Sequence, residues 1–338
     1  MTSLASSISS LFSALPYSTH HLLSLLLPLV LYKILTADCD LSVAWACLTH
    51  PTSRLRRYYS NKVVWITGAS SGLGKALALE LAQYPCKLVL SARRAEELNK
   101  VKAECVARGL EEDAVLVLPM DSLDFERLPE LVAKVLEVFG GVDVLVNNAG
   151  RSQRSLAETT PLDVDRAIME LNYFGYVALT KAVMPSMIAN KRGSIVAMSS
   201  LTGKMGAGVS TAYSASKHAV MGFYNSLRQE LYSYGIDVMT VCPGPVRSNI
   251  SLHSFTENLK KEYNQEIQDK GRKQEAERFA RLLSVALAAR LPESWISIQP
   301  YLVYTYLAQY LPSVFNSALV TKGAQGRIAK FKNNECLY

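Results

Sequence analysis

Short apolar runs alternate with longer polar or amphipathic stretches from Lys62 onward. The runs are continuously apolar, and they read VVWIT, KLVLS, AVLVLP, VDVLVN, GSIVAMSS and IDVMTVC. Continuous apolar runs are typical of strands in a parallel sheet that is covered on both faces. The stretches between them predict helices beginning near Leu73, Ala95, Phe125, Leu162 and Ala212, and a polar helical stretch near 252–290. The pattern therefore predicts an α/β fold with right-handed βαβ units in a doubly wound parallel sheet.

The N-terminal segment has a different pattern. No Lys, Arg, Asp or Glu precedes Lys33, and residues 22–35 are almost wholly apolar, with Pro28 among them. This dense part is shorter than the roughly 20 residues that a spanning helix needs, so a signal-anchor, a cleaved signal peptide and a shallow interfacial anchor are all open. We favour a retained anchor, because neither a basic n-region nor a small-residue cleavage site is clear.

These patterns divide the chain into four parts. We expect a hydrophobic anchor over 1–36, a linker over 37–60, one catalytic domain over 61–294 and a C-terminal extension over 295–338. Residues 295–320 carry no charge and are rich in tyrosine. They are either a last strand followed by a buried helix or an amphipathic lip that enters a membrane beside the substrate entrance. We favour the lip, since tyrosine is common at bilayer interfaces.

The net charge of +7 is concentrated at the two ends of the chain. Residues 1–60 carry four basic and two acidic side chains, and residues 321–338 carry four and one. A nucleic-acid-binding protein would show a basic stripe across its folded domain, whereas basic flanks around an apolar segment fit an anionic membrane. Basic residues follow the apolar segment, which predicts a cytosolic catalytic domain. Glycosylation at the sequon of residues 249–251 would report on this topology.

A glycine-rich turn, Thr67 to Gly74, follows the first predicted strand and opens a helix. Glycines allow the tight turn and let the backbone approach a pyrophosphate, which the helix N-terminus then holds. After the second strand, Ala92 stands where an NAD site would carry an acid, and Arg93 follows it. Either Arg93 and Arg94 are solvated residues at the start of a helix or the guanidinium of Arg93 binds a 2′-phosphate. We favour the second interpretation, and hence NADP(H) over NAD(H).

Tyr213 and Lys217 are four residues apart in the predicted helix from Ala212, so they share one face. A phenol with a pKa of about 10 is a poor base at neutral pH. A neighbouring ammonium stabilises the phenolate and brings the pKa of the phenol toward the working range. By itself this spacing occurs by chance in many helices.

Taken together, the motifs identify the chain as resembling the short-chain dehydrogenase/reductases. Residues from about Lys62 to Trp295 match TGxxxGxG, the NNAG of residues 147–150, a Ser followed by YxxxK, and a later Pro-Gly. Ser200 lies 13 residues before Tyr213, and Pro243 about 30 after it. The resemblance implies a Rossmann fold and a nicotinamide-dependent oxidoreductase.

That resemblance also implies roles for individual residues. Tyr213 would be the general acid in reduction and the base in oxidation, and Lys217 would bind the nicotinamide ribose and lower the pKa of the tyrosine. Ser200 would hydrogen-bond the substrate carbonyl, with Ser199 less well placed, and Asn172 would hold a proton-relay water. Ser248 stands where the family usually has Thr. The implied cofactor-binding residues are Gly68, Ser70, Ser71, Gly72, Leu73, Gly74, Arg93, Asp121, Asn148, Tyr213, Lys217, Pro243, Val246 and Ser248.

Residues 36–41, 152–156 and 295–300 are similar to those of a membrane-anchored branch of the family. The similarity implies an endoplasmic-reticulum enzyme that reduces steroid, retinoid and other carbonyl compounds with NADPH. We therefore expect a reductase of lipophilic carbonyl compounds. The alternatives are an enzyme that oxidises a hydroxysteroid or retinol with NAD, and a non-catalytic membrane scaffold. The expected partners are a small lipophilic carbonyl or alcohol, membrane lipid and, by family habit, a second copy of the chain, with no nucleic acid and no metal.

Overall fold

A computed structural model describes Pro28, Tyr32 and residues 35–248, 250, 253–261, 263, 272–317 and 321–333. Most of the expected anchor over 1–36 lies outside these residues. Among the residues described, no helix has both the length and the apolar character needed to cross a membrane. Residues 1–37 and 38–338 form two separate units, and the fold described below is that of the second.

Seven parallel strands form one sheet in the order β3-β2-β1-β4-β5-β6-β7. The strands are β1 (Val63–Thr67), β2 (Lys87–Ser91), β3 (Val115–Val117), β4 (Val144–Asn147), β5 (Gly193–Met198), β6 (Ile236–Pro243) and β7 (Glu293–Ile296). Val64 of β1 pairs with Leu88 of β2 on one side and with Val144 of β4 on the other. The connections reverse direction between β1 and β4, which opens a crevice at the carboxyl ends of these strands. The predicted doubly wound parallel sheet is confirmed.

Helices cover both faces of the sheet and form two cores. The first core includes α3 (Gly72–Leu81), α4 (Ala95–Ala107) and α9 (Ala276–Ala288), and the second includes α5 (Leu128–Phe139), α7 (Gly175–Asn190) and α8 (Thr211–Leu231). In β1, Val64 and Ile66 point into the first core while Val63 and Trp65 point into the second. Successive side chains of a strand face opposite sides. The run VVWIT is therefore continuously apolar because both of its faces are buried.

Two helix boundaries differ from those predicted. The helix expected from Phe125 begins at Leu128, with Pro129 in its first turn. Proline is tolerated there because the first N–H groups of a helix have no partner within it. The long helix expected from Leu162 is divided into α6 (Leu162–Met169), a π-helical turn (Glu170–Phe174) and α7.

The segment expected to be a linker, 37–60, instead forms α1 (Leu41–Thr49) and α2 (Thr52–Tyr59). Asp40, which precedes α1, binds the edge strand β7: its N–H donates to the Trp295 carbonyl at 2.8 Å. Tyr59 is fully buried and donates its hydroxyl proton to the carbonyl of Ser284 in α9 at 2.7 Å. The catalytic fold therefore begins before residue 61, and the expected boundary at 294 falls inside β7.

The region near 252–290 is helical over only part of its length. Residues 253–261 form turns, and Phe255 makes an isolated bridge with Gln153. The helix α9 follows, and then β7, α10 (Tyr301–Tyr310), α11 (Pro312–Phe315) and α12 (Thr321–Lys332). The strand and helix of the first interpretation of 295–320 are thus present, while the expected membrane contact of this stretch stays a prediction.

Candidate active site

A cleft of about 660 Å³ opens at the carboxyl ends of the central strands. It is lined by most of the residues that the motifs single out, namely Gly68, Ser70, Ser71, Gly72, Leu73, Arg93, Asp121, Asn148, Ser200, Tyr213, Lys217, Pro243, Val246 and Ser248. The two others, Gly74 and Asn172, do not line the cleft but contact the lining residues Gly68 and Arg151. Residues that are far apart in the sequence therefore meet in one crevice, where a doubly wound sheet binds its ligands.

The glycine-rich turn connects β1 to the N-terminus of α3 by a path that needs glycine. Gly68 and Gly72 have φ angles of 65° and 54°, which side chains other than glycine rarely adopt. A Cβ on Gly74 would lie 2.4 Å from the carbonyl oxygen of Gly68, so Gly74 allows α3 to pack closely on the turn. The first N–H groups of α3 have no partner within the helix, which makes this end suited to an anion.

The exits of β1 and β4 are joined by a small hydrogen-bond network. The hydroxyl oxygen of Thr67 accepts from the N–H groups of Asn148 and Ala149 at 2.9 and 3.0 Å. The side-chain amide of Asn148 donates back to the Thr67 carbonyl at 2.9 Å. Asn148 was among the predicted site residues, whereas Thr67 was not, although it is the first residue of the glycine-rich turn. This network holds the floor of the crevice in one geometry.

Two arginine side chains that follow β2 line the cleft. Arg93 and Arg94 are both exposed and both line it. Asp121 lines the cleft beside them and accepts a hydrogen bond from the N–H of Leu123 at 3.0 Å. No acidic residue occurs between Ser91 and Arg94. Of these two arginines, only Arg93 was predicted to bind the cofactor.

Lys217 is held in a buried position beside Tyr213. Its side chain is 4% exposed, and Nζ donates to the carbonyl of Met198 at 2.9 Å. Nζ lies 5.6 Å from the ring centre of Tyr213 and 5.1 Å from that of Tyr176, a fully buried tyrosine of α7 that the motifs did not indicate. Burial lowers the pKa of Lys217 to about 7, because the low-dielectric surroundings disfavour its charged form.

Asn172 lies in the π-helical turn and is fully buried. Its Oδ1 accepts from the N–H of Arg151 at 2.9 Å, and its Nδ2 donates to the Arg151 carbonyl at 2.9 Å and to Ser216 Oγ at 3.1 Å. A Cβ on Gly150 would lie 2.9 Å from Asn172 Oδ1 and 3.7 Å from Lys217 Nζ. The asparagine therefore positions the backbone after NNAG close to the amine of Lys217.

The two serines at the end of β5 are oriented differently. Ser199 Oγ donates to the carbonyl of Lys217 at 2.9 Å, so its hydroxyl is directed at the backbone of α8. Ser200 lines the cleft, and its Oγ accepts from the N–H of Thr202 at 3.1 Å. Both serines line the cleft, but Ser199 Oγ donates over 2.9 Å, whereas Ser200 Oγ has only a long contact of 3.5 Å to the carbonyl of Pro243. That Ser200 and not Ser199 binds a substrate carbonyl stays a prediction.

The wall beyond Tyr213 contains residues that the motifs did not predict. Arg154 is buried, and its Nη1 donates to Ser152 Oγ, the Gln153 carbonyl and Ser210 Oγ at 2.7, 2.9 and 2.7 Å. The remaining lining there includes Arg151, Leu171, Met205, Ala207, Ile250, His253, Phe255, Lys273, Tyr301 and Arg327. Arg327 comes from α12 and was not foreseen, because only tertiary packing brings that helix to the cleft.

Helix α9, the helical part of the stretch expected near 252–290, does not line the cleft. Helix α9 buries Phe279, Leu282 and Leu283 in the core beside α3. The wall is formed instead by the turns before α9, through Phe255 and neighbouring residues. An amphipathic helix whose apolar side is buried in the sheet core cannot also present that side to a substrate.

The donor set of the cleft fits an anionic dinucleotide. Among the residues described, seven lysines and arginines line the cleft and Asp121 is the one carboxylate. The glycine-rich turn and the start of α3 suit a pyrophosphate, and Lys217 offers an ammonium group to a sugar hydroxyl. An excess of positive charge in a cleft raises the local concentration of an anionic ligand.

Comparisons with known proteins agree with this geometry. The family model for short chain dehydrogenases matches residues 62–266. Dehydrogenase/reductase SDR family member 7 of Mus musculus is 45% identical over 316 residues, which are 93% of this chain and 92% of that protein.

Two solved structures share the fold. A short-chain dehydrogenase from Streptomyces avermitilis is 30% identical with a TM-score of 0.65, over 80% of this chain and 99% of that one. A metagenomic short-chain oxidoreductase solved in complex with NADP is 30% identical with a TM-score of 0.55, over 68% and 91%. The resemblance seen in the motifs is confirmed, and the chain belongs to the short-chain dehydrogenase/reductase family of nicotinamide-dependent oxidoreductases.

Proposed function

We propose that the protein is an NADPH-dependent reductase of carbonyl groups on lipophilic substrates. The observation that carries this proposal is the arrangement of one cleft: Ser200, Tyr213 and Lys217 meet in it, and Arg93 lines it after β2. Proton-transfer groups and a candidate binding group for a 2′-phosphate therefore share one crevice.

In the proposed mechanism, a bound nicotinamide supplies the hydride that adds to the carbonyl carbon. Tyr213 protonates the developing alkoxide oxygen, and the hydroxyl of Ser200 donates a hydrogen bond to the same oxygen. The ammonium of Lys217 favours the phenolate that Tyr213 becomes, because opposite charges stabilise each other in a buried site. Asn172 fixes the backbone beside this pair, where a proton path from solvent would begin.

The cofactor preference is proposed from the two arginines at the end of β2. A guanidinium forms two parallel hydrogen bonds with a phosphate, and charge-assisted hydrogen bonds contribute about 1.5–3 kcal/mol. Loss of the Arg93 contact should therefore raise the KM for NADPH roughly 10- to 100-fold. The metagenomic short-chain oxidoreductase, which is 30% identical and was solved in complex with NADP, supports the same preference.

The test compares NADPH with NADH for the wild type, Arg93→Asp and Arg108→Asp. Arg108 is an exposed residue at the C-terminus of α4 and serves as the matched control. We expect Arg93→Asp to weaken NADPH selectively and Arg108→Asp to change neither cofactor. A clear preference of the wild type for NADH would overturn the assignment and favour oxidation of a hydroxysteroid or retinol instead.

The substrate class is proposed from the apolar members of the wall beyond Tyr213, which include Leu171, Met205, Ile250 and Phe255. Burial of apolar surface stabilises binding by about 25 cal/mol per Å². A panel of steroid, retinal and quinone carbonyls should therefore show far lower KM values than small polar ketones. Equal kcat/KM for both groups would contradict the assignment.

We also propose that the protein is attached to the endoplasmic-reticulum membrane with its catalytic domain in the cytosol. Arg54, Arg56 and Arg57 support this, because they follow the apolar segment and are exposed on α2. The chain carries an Asn-X-Ser sequon at Asn249. Glycosylation of Asn249 in microsomes would contradict the cytosolic orientation.

A further inference from the structure

Helix α1 has an outward face without any charged side chain. Its sequence, LSVAWACLT, contains no Asp, Glu, Lys or Arg. Leu41, Trp45 and Leu48 are 78%, 69% and 79% exposed. Their spacing of four and three residues places them on one stripe of the helix. Surface helices of soluble proteins usually carry charged or polar residues on this side, so the composition of α1 is unusual for a face in water.

The packing of α1 fixes this stripe on the outside. Val43 and Ala46 are buried against the core, so the opposite side of the helix must face outward. Asp40 caps the helix, its carboxylate accepting from the N–H of Val43 at 3.0 Å, and its own N–H donates to Trp295 of β7. The helix therefore cannot rotate to bury the stripe without breaking its attachment to the sheet.

The α10–α11 region extends the apolar surface. Tyr310, Leu311 and Val314 are all exposed, and no charged residue occurs from Tyr301 to residue 320. The ring of Tyr306 lies 4.9 Å from that of Trp295, the residue whose carbonyl accepts from the N–H before α1. The same ring stacks with that of Tyr310 at 6.3 Å between ring centres.

Both exposed sets therefore lie at the edge of the sheet formed by β7. Leu41, Trp45, Leu48, Tyr310, Leu311 and Val314 are named the apolar platform below. A contiguous exposed apolar patch marks an interaction surface, whereas single exposed apolar residues do not.

Three observations identify a lipid surface as its partner. The apolar segment over 22–35 ends six residues before α1, and six residues reach at most about 20 Å. Exposed Arg54, Arg56 and Arg57 follow α1, and Arg54 donates to the carbonyl of Thr49 at its C-terminus, so anionic lipid headgroups complement the edge of the platform. Tryptophan and tyrosine, which the platform contains, are the residues enriched at membrane interfaces.

A second copy of the chain fits the same surface less well. In a two-fold symmetric dimer the same patch meets itself. The arginines of both copies would then lie at the edge of one interface, where like charges repel. We propose that the apolar platform docks the catalytic domain on the membrane interface, as a lipid contact additional to the N-terminal segment. This proposal rests on the membrane attachment proposed above and does not depend on the cofactor or on the reaction.

Trp45 provides a direct probe of the platform. The chain has three tryptophans, and the other two, Trp65 and Trp295, are buried. The emission that Trp45→Phe removes from the full-length protein is therefore the contribution of an exposed tryptophan on the platform.

The experiment binds the full chain to phosphatidylcholine–phosphatidylserine vesicles, with and without bromine on the acyl chains. An interfacial helix buries its apolar face roughly 5–10 Å below the headgroups, so bromolipid should quench the Trp45 emission roughly two-fold. Leu41→Ser with Leu48→Ser should abolish this quenching. Tyr232→Ser, which changes an exposed tyrosine outside the platform, should leave it intact.

Three results would overturn the proposal. The first is Trp45 emission that bromolipid does not quench and acrylamide does, which would show that the platform faces water. The second is Trp45 emission that neither bromolipid nor acrylamide quenches at a high protein-to-lipid ratio, which would show that the platform is buried between two copies of the chain. The third is a chain that does not float with the vesicles. NADPH turnover measured on the same samples reports separately on the proposed reaction, because the platform holds no residue of the cleft.

Discussion

The buried amine of Lys217 makes the stability of the protein depend on pH in a predictable direction. Among the residues described, the groups that face it are the rings of Tyr213 and Tyr176, the carbonyl of Met198 and, more distantly, the thiol of Cys242. Burial lowers the pKa of Lys217 from 10.5 to about 7. Each pKa unit corresponds to about 1.4 kcal/mol, so protonating this amine is about 5 kcal/mol less favourable in the folded state than in the unfolded chain.

The sign follows from proton binding. Between pH 7 and 10.5 the unfolded chain holds a proton on Lys217 that the folded, ligand-free protein does not. Stability therefore rises with pH across this window and does not change below it on account of this group. Lys217→Met removes the titration, so the free energy of unfolding of the wild type relative to the variant should increase by about 5 kcal/mol from pH 7 to pH 10.5.

The assay is thermal unfolding of the ligand-free wild type and Lys217→Met between pH 6 and 10.5. For about 300 ordered residues the entropy of unfolding is about 0.6 kcal/mol per degree, so the difference in Tm should change by roughly 8 °C. In Lys217→Met, loss of the hydrogen bond to Met198 shifts the Tm by the same amount at every pH, so it does not affect the slope of Tm against pH. For Lys134→Met, a substitution at an exposed site, the plot of Tm against pH should be parallel to that of the wild type. A parallel curve for Lys217→Met would refute the reasoning.

Three further substitutions test the contacts that position the site and the edge of the sheet. Gly150→Ala places a Cβ 2.9 Å from Asn172 Oδ1, and the resulting displacement should lower kcat up to roughly 100-fold while the circular dichroism spectrum is retained; an unchanged kcat would contradict this. Asp40→Ala removes the α1 cap and the acceptor for the N–H of Trp295, and should lower the free energy of unfolding by about 2–4 kcal/mol in urea titrations. Tyr59→Phe removes one buried hydrogen bond to a carbonyl of α9, and the same titrations should show a loss of about 1 kcal/mol.

The sheet and the cofactor end of the site were predictable because their signals are local. The run VVWIT is buried throughout and matches β1 residue for residue, and KLVLS matches β2. The glycine-rich turn and the YxxxK spacing likewise depend on backbone geometry within a few residues. Family resemblance then related Ser200 and Asn172 to Tyr213, which spacing alone could not do.

The parts that were not predicted depend on contacts between distant segments. In α2 the buried positions are Leu55 and Tyr59, a pair too small to give a clear period, and the arginines around them suggest a linker. What makes the segment helical is the core beside α9 and the edge of β7, neither of which the segment itself encodes. Arg327 reaches the cleft for the same kind of reason: α12 has no pattern that relates it to the active site.

The buried polar groups of the site differ in how the surrounding protein stabilises them. This difference indicates which kind of ligand the site binds. Thr67 and Asn172 are hydrogen-bonded to backbone atoms that they position, so their burial stabilises the crevice. Lys217 is different: one carbonyl accepts from its amine, and its burial disfavours the charge. An anionic ligand in the cleft would favour that charge again and raise the pKa of Lys217. Ligand binding and proton uptake are then linked near neutral pH, so the stability that the empty site loses is regained in the complex.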